Sequence, residues 1–408
     1  MIANLGSKGI AAIAQLYAIF VFTKMHTQDQ SALIFLLLGY AIWFQAFELG
    51  LAQTLQNKFN ARQVSVDEML TMALGHYICM LAIAGVVVAT PFLADVLLPP
   101  GRSGLGGQEA KAFNLGGAIL IMASNNVISQ RLLLVFNKGQ IGNALIMLQA
   151  TLAVAGLAVY EWLGDRNLVA AVLVYLGPQI LVFIPILLGW GLRLLRKASK
   201  VTAQKVRPIM VDALGFWGLS LLAAIFLGAD YYFAAHYMSS QQVVSYHLAT
   251  RLFFISFVAY YAYVQHGAKR LSSQSLENGV ATVTTVVKHS VALGLVVVFT
   301  VYLVVAALDG LGAFNGMTSG AGIGQGLLFS AFLYFTIRVC RDVGLVVVGG
   351  LNAKRLIYKV YLLEVAVGLP LMYLFAPAYG GQGLFAALSL ACVFGIVLLL
   401  QHAKKAGV

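Results

Sequence analysis

The sequence predicts an all-α, polytopic membrane protein, with about twelve transmembrane helices in two six-helix bundles around a central cavity. Three observations carry that prediction. The 408 residues are 61% hydrophobic and only 10% charged, with a mean hydropathy of +0.88; a soluble domain is near half apolar and about a quarter charged. The apolar residues gather in segments of roughly 20 or more, the length that crosses a ~30 Å hydrocarbon layer. The basic residues gather on alternate connections, as they do when Lys and Arg stay cytoplasmic. The net charge of +12 is therefore read as topology. It is not a nucleic-acid footprint, because too few charges remain to coat a groove.

The spans lie near 8–24, 31–54, 70–98, 110–136, 140–160, 167–192, 209–237, 241–266, 283–308, 325–350, 356–376 and 380–401. These runs are too long for strands and lack period-2 alternation. The first eight residues are a short polar lead into the first apolar run, which reads as a retained helix rather than a cleaved signal. Cys79, Cys340 and Cys392 sit inside apolar runs and read as packing thiols, with no disulfide or metal-binding spacing.

Charge placement orients the spans. With both termini cytoplasmic, all 26 Lys and Arg except Lys24, Arg102, Lys111, Arg166 and Arg251 fall on inner segments. That count puts Arg338 and Arg341 toward the inner end of span ten. The longest basic stretch (RLLRKASKVTAQKVRP) divides the chain into an N-terminal bundle, 1–192, a cytoplasmic linker, 193–208, and a C-terminal bundle, 209–408. Both halves start on the same face, so any repeat is parallel. Phe136-Asn137-Lys138 and residues 351–354 (LNAK) occupy similar places after the fourth span of each half.

The outer connections are short, the longest near 99–109 and 309–324. Glu109 and Asp309 stand alone there, without the paired carboxylates of a glycan polymerase or transferase. GxSxG, HExxH and Walker-type motifs are absent, which excludes ATP hydrolysis by this chain. The glycine run GAGIGQG at 320–326 follows no strand and reads as the flexible start of a helix, not a phosphate loop.

Ionisable groups at membrane depth carry the functional signal, because Arg at a helix centre costs about 2.5–3.5 kcal/mol or more unless it meets a partner or a wet cavity. Asp230 and Arg251 lie roughly 12–15 Å below the outer surface on consecutive antiparallel helices, within plausible reach of each other. They read either as a structural ion pair or as a cavity cation with a releasable counter-ion. Arg338, Arg341 and Asp342 share one helix face by their i, i+3 and i, i+4 spacing; they form a basic patch near mid-bilayer if span ten continues to Gly350, and an interfacial cluster if it ends early. Ser124, Asn125, Asn126, Gln130 and Arg131 make span four polar at depth, either as interhelical hydrogen bonds or as a lining for sugar hydroxyls. Glu48, Asp212 and Glu364 are isolated carboxylates by sequence, able to carry a proton if buried. Tyr231, Tyr232, Tyr237, Tyr246, Tyr260, Tyr261 and Tyr263 crowd spans seven and eight, as an interfacial belt or as a surface for sugar rings.

Two stretches add a resemblance. Residues 44–62 (FQAFELGLAQTLQNKFNAR) resemble the end of the second helix in polysaccharide repeat-unit flippases, where an acidic residue precedes a Leu-Gly pair and a basic turn follows. Residues 228–253 (GADYYFAAHYMSSQQVVSYHLATRLF) are similar to the helix seven–eight junction of that family, and Ser7-Lys8-Gly9 also fits. The family is the Wzx-type O-antigen flippases of the multidrug/oligosaccharidyl-lipid/polysaccharide exporter superfamily. The resemblance implies translocation of a polyprenyl-pyrophosphate-linked oligosaccharide between leaflets of the bacterial inner membrane. It also implies alternating access, no cofactor or metal, contact with membrane lipids and polysaccharide polymerase machinery, and proton or sodium counterflow. On that reading Arg251, Arg338, Arg341, Arg131, Asn125, Asn126 and Tyr246 face the substrate, since Arg donates to phosphate in pairs. Asp230, Glu48 and Glu364 carry the coupling ion. The rival readings are a multidrug exporter of the same superfamily, with an acidic aromatic pocket, a membrane glycan polymerase, and a purely structural subunit.

Overall fold

The computed structural model describes residues 2–90, 92–99, 107–197, 203–273, 279–318, 320–350 and 354–405. Every regular element among them is helical: α1 Ile2–Met25, α2 Gln28–Gly39, α3 Ala41–Gln45, α4 Leu51–Asn60, α5 Val66–Ala89, α6 Phe92–Leu97, α7 Gly107–Ala123, α8 Asn125–Val135, α9 Gly139–Leu163, α10 Leu168–Leu176, α11 Pro178–Leu181, α12 Ile184–Lys197, α13 Ala203–Tyr237, α14 Ser240–Ser273, α15 Gly279–Gly310, α16 Gln325–Gly350 and α17 Lys354–Lys405. Several predicted spans are built from two or three of these pieces. The last runs the other way: α17 holds two spans joined at Gly380, whose backbone is not helical.

Local chemistry sets the ends. Thr27 with Gln30, and Ser65 with Glu68, form reciprocal capping boxes at the starts of α2 and α5. Asn167 caps α10 through the amides of Val169 and Ala170. The Asp309 carboxylate accepts the backbone N–H of Ile323 at 2.7 Å and of Gly324 at 3.2 Å, pinning the glycine run before α16.

Two compact units emerge, Met1–Ala224 and Ile225–Val408. The division falls within α13, later in the chain than the 193–208 stretch, whose centre (198–202) lies outside the described residues, as does most of the 351–354 motif. The first half of α13 joins the N-terminal unit for a packing reason. Ile209 and Ala213 enter its core with Leu51, Leu55, Met69, Leu70, Ile128 and Leu132, and Asp212 pairs with Lys58 at 2.5 Å. Asp212 is thus not the isolated carboxylate that its place in the sequence suggested.

In the N-terminal unit three spans are broken near their middles. The span-two break runs through a 3₁₀ turn at Ala46–Glu48 into Leu49 and Gly50, both at positive φ (56° and 69°). Gly50 also lies hard against α13: a Cβ there would stand 2.6 Å from the Trp217 nitrogen and nearer still to the Ala213 carbonyl. Gly50→Ala is therefore expected to cost about 2 kcal/mol, from left-handed strain plus overpacking. A lowered unfolding midpoint in detergent, with Gly9→Ala (where a Cβ meets open space) unchanged, checks it.

Candidate functional site

The C-terminal unit is organised on α16, which packs against α14, α15 and α17. α16 runs unbroken to Gly350, so Arg338 sits about 20 Å along it and near its middle. The helix does not end early: it continues about three turns past Arg338, mostly through apolar residues.

Two helices, α16 and α17, put the charges of this core together. Arg341 is 2% exposed and Glu364, on α17, is fully buried. Arg341 grips Glu364 with two donors, Nε to Oε1 at 2.8 Å and Nη2 to Oε2, and gives Nη1 to Asp342 Oδ1 at 2.7 Å. Arg338 donates Nε to the other Asp342 oxygen at 3.3 Å and Nη1 to the Tyr334 hydroxyl at 3.2 Å. Both guanidinium groups lie against aromatic rings, Arg341 with Tyr361 at 4.7 Å and Arg338 with Phe257 at 5.2 Å. Two cations and two carboxylates make the cluster neutral. That is how four charges persist in an apolar interior, where an unpaired ion costs several kcal/mol.

This corrects two expectations. The triad on α16 is not a bare basic patch, and Glu364 is not isolated; it is the forked partner of Arg341. Gly395 makes room for it, since a Cβ there would collide with Glu364 Oε1. Of the two arginines, Arg338 is the more open, with 14% of its side chain exposed.

Asp230 and Arg251 also differ from the direct pair expected. Asp230 is buried on α13 and takes its hydrogen bond from the Tyr246 hydroxyl, at 2.6 Å to Oδ2. Oδ1 has no hydrogen-bond partner among the described residues. Tyr231 bonds His247 Nδ1 at 2.9 Å, and the Tyr246 ring packs on Phe385, which packs on Tyr334. The tyrosines of spans seven and eight thus split, with Tyr231, Tyr246 and Tyr260 buried and Tyr237 exposed. The side chains of Tyr261 and Tyr263 lie outside the described residues.

In the N-terminal unit the polar residues of span four tie the broken spans together. Asn126 donates to the Gln179 carbonyl at 2.7 Å, in the span-six break. Asn125 donates to the Met122 carbonyl at 3.0 Å and presents its oxygen to His76 Nδ1 at 2.7 Å. His76 Nε2 lies 2.8 Å from the Phe47 carbonyl. Glu48 caps α4 through the Ala52 amide at 3.0 Å, and Arg131, exposed, donates to Gln56 at 3.1 Å. His76 is the residue missed in the sequence; its signal was a lone histidine in the middle of an apolar span.

These helices define a multi-pass membrane protein with the twelve-span, two-bundle fold of the MOP-superfamily transporters. The chain superposes on a multidrug resistance MATE family transporter in an inward-facing conformation with a TM-score of 0.75, at 12% identity over 99% of this chain and 98% of that one. For the lipid II flippase MurJ, inward closed, the TM-score is 0.74 at 13% identity, over 99% and 88%. A MOP-superfamily transporter from Pyrococcus furiosus, described as having a binding pocket of reversed polarity, gives 0.65 at 12%, over 99% and 95%. In sequence, a Salmonella typhi protein named "Putative O-antigen transporter" is 22% identical over 419 residues, covering 98% of this chain and 94% of that protein. No family model matches.

Proposed function

We propose that this chain is a flippase that carries a polyprenyl-pyrophosphate-linked oligosaccharide from the cytoplasmic to the periplasmic leaflet of a bacterial inner membrane, with both of its termini cytoplasmic. The observation that carries the reading is the full-length likeness to the Salmonella typhi relative. The fold shared with the lipid II flippase supports it. A headgroup of that kind is anionic and bulky, and crossing the hydrocarbon layer bare is prohibitive. Guanidinium groups at depth replace the water around its phosphates. Arg338 and Arg251 are the ones assigned that task; Arg341 joins only if it releases Glu364. Asn125, Asn126 and Arg131 hold the N-terminal bundle together and reach sugar only after those bonds open. The stored asymmetry is that of the coupling ion, proton or sodium, at Asp230 or Glu48.

Deleting the gene tests the reading: lipid-linked saccharide is expected to accumulate on the inner leaflet, and plasmid-borne protein to clear it. Arg251→Ala is expected to insert normally and fail to clear it. Accumulation that does not occur, or full clearance by Arg251→Ala together with Arg338→Ala, overturns the assignment. Export of organic cations without any effect on lipid-linked saccharide favours the multidrug reading.

A further inference from the structure

His76 sits about 15 Å along α5, near mid-membrane, and is buried. Each of its ring nitrogens faces a carbonyl-type oxygen. Nε2 meets the Phe47 carbonyl at 2.8 Å and Nδ1 meets Asn125 Oδ1 at 2.7 Å. The orientation of the Asn125 amide follows from its own network: Nδ2 donates to the Met122 carbonyl at 3.0 Å. Turning the amide over would set Oδ1 against that carbonyl, acceptor to acceptor. A neutral imidazole has one N–H and serves one of these oxygens; an imidazolium serves both.

The Phe47 carbonyl is free to accept because its helix breaks, and Asn125 reaches His76 from the start of α8, beside the break in span four. In a continuous helix the Phe47 carbonyl would take the amide four residues on; the left-handed residues Leu49 and Gly50 end the ladder there. The Met122 carbonyl lies at the step between α7 and α8. His76, on the unbroken α5, therefore bridges the broken spans two and four. Charged groups from the packed elements complete the setting. Glu48, beside the span-two break, caps α4 through the Ala52 amide at 3.0 Å, and Arg131 on α8 donates to Gln56 of α4 at 3.1 Å. Asp67, at the inner end of α5, is paired with Arg193 of α12. On α5 itself Tyr77 is half-buried and Cys79 exposed.

We propose that His76, clamped between the Phe47 carbonyl and the Asn125 amide oxygen, is a proton-binding site of the N-terminal bundle, and that release of its second proton frees one of the two helix breaks it holds. Protonated, it locks spans two and four to α5. Deprotonated, one nitrogen presents a lone pair to an oxygen, and that contact opens. Under the transport reading above, this adds a site for the counterflowing proton beside Glu48 in the same bundle; the proton site itself does not depend on that reading.

Histidine-selective ¹⁵N labelling of the full-length protein in lipid nanodiscs tests it. The signal lost in His76→Gln identifies His76 among the 7 histidines. Both of its nitrogens are expected to be protonated at pH 6, with one proton leaving as pH rises. Asn125→Leu is expected to lower the midpoint by at least about one pH unit, a tenfold loss of proton affinity. A single protonated nitrogen throughout pH 5–9, or an unmoved midpoint in Asn125→Leu, overturns the proposal whatever the substrate. In reconstituted vesicles, His76→Gln is expected to lose the response to an imposed pH gradient while downhill flipping continues. A retained gradient response with the NMR result intact overturns the coupling role alone.

Discussion

Glu364→Leu is expected to destabilise the C-terminal bundle by about 3–5 kcal/mol, the cost of stranding a buried charge after its partner is removed. The geometry explains why so much is at stake. Glu364 takes two of the donors of Arg341, and Arg341 has only Asp342 left once it is gone. Asp342 is already shared with Arg338, so two cations would compete for one carboxylate in an interior that admits little water. Arg341→Met alone errs the other way, leaving Glu364 buried without its fork. The double variant, Arg341→Met with Glu364→Leu, removes both charges and keeps Arg338 paired with Asp342. It is expected to recover most of the loss, because apolar replacements of a buried pair are often neutral or stabilising. Unfolding in mixed micelles, read as a double-mutant cycle, measures this. A coupling within about 0.5 kcal/mol of zero would show that water reaches the pair and that it holds nothing.

What the sequence made legible follows from which forces are local. The spans were readable because hydrophobic transfer is summed over consecutive residues, and eight stretches among the described residues are apolar enough to cross a membrane on composition alone. α16 is not among them, since Arg338, Arg341 and Asp342 all fall within its middle. Pairing was not readable. Glu364 lies 23 positions from Arg341, and Asp212 is far from Lys58 in the chain, so each looked alone. The interhelical bond that a buried charge demands is decided by how helices rotate against each other, which apolar periodicity fixes poorly in an all-round hydrophobic helix. The breaks of spans two, four and six were hidden for a related reason. Their flanks are apolar, and only Leu49-Gly50 and Gly177-Pro178 hinted at irregular backbone. His76 gains its meaning only from those breaks.

Arg338→Ala is expected to abolish transport, more than 100-fold, while the protein still folds and inserts. The two consequences separate because the cluster is redundant on its acidic side. With Arg338 gone, Asp342 keeps the Nη1 donor of Arg341 at 2.7 Å, and Tyr334 loses only one bond at 3.2 Å, so no charge is stranded. The sum of charges, however, falls from neutral to one negative, and an approaching diphosphate meets repulsion in place of a fork that donates in pairs. Arg338→Lys keeps the sum and loses the planar fork and its packing against Phe257, so partial recovery is expected. Arg338→Ala with Asp342→Asn restores neutrality without a cation. If that variant transports as poorly as Arg338→Ala, the guanidinium itself contacts the headgroup. If it transports like wild type, the contact is refuted, and Arg338 serves only to balance Asp342. Flipping of a fluorescent polyprenyl-pyrophosphate saccharide in vesicles, measured for all three variants at equal protein density, decides between them.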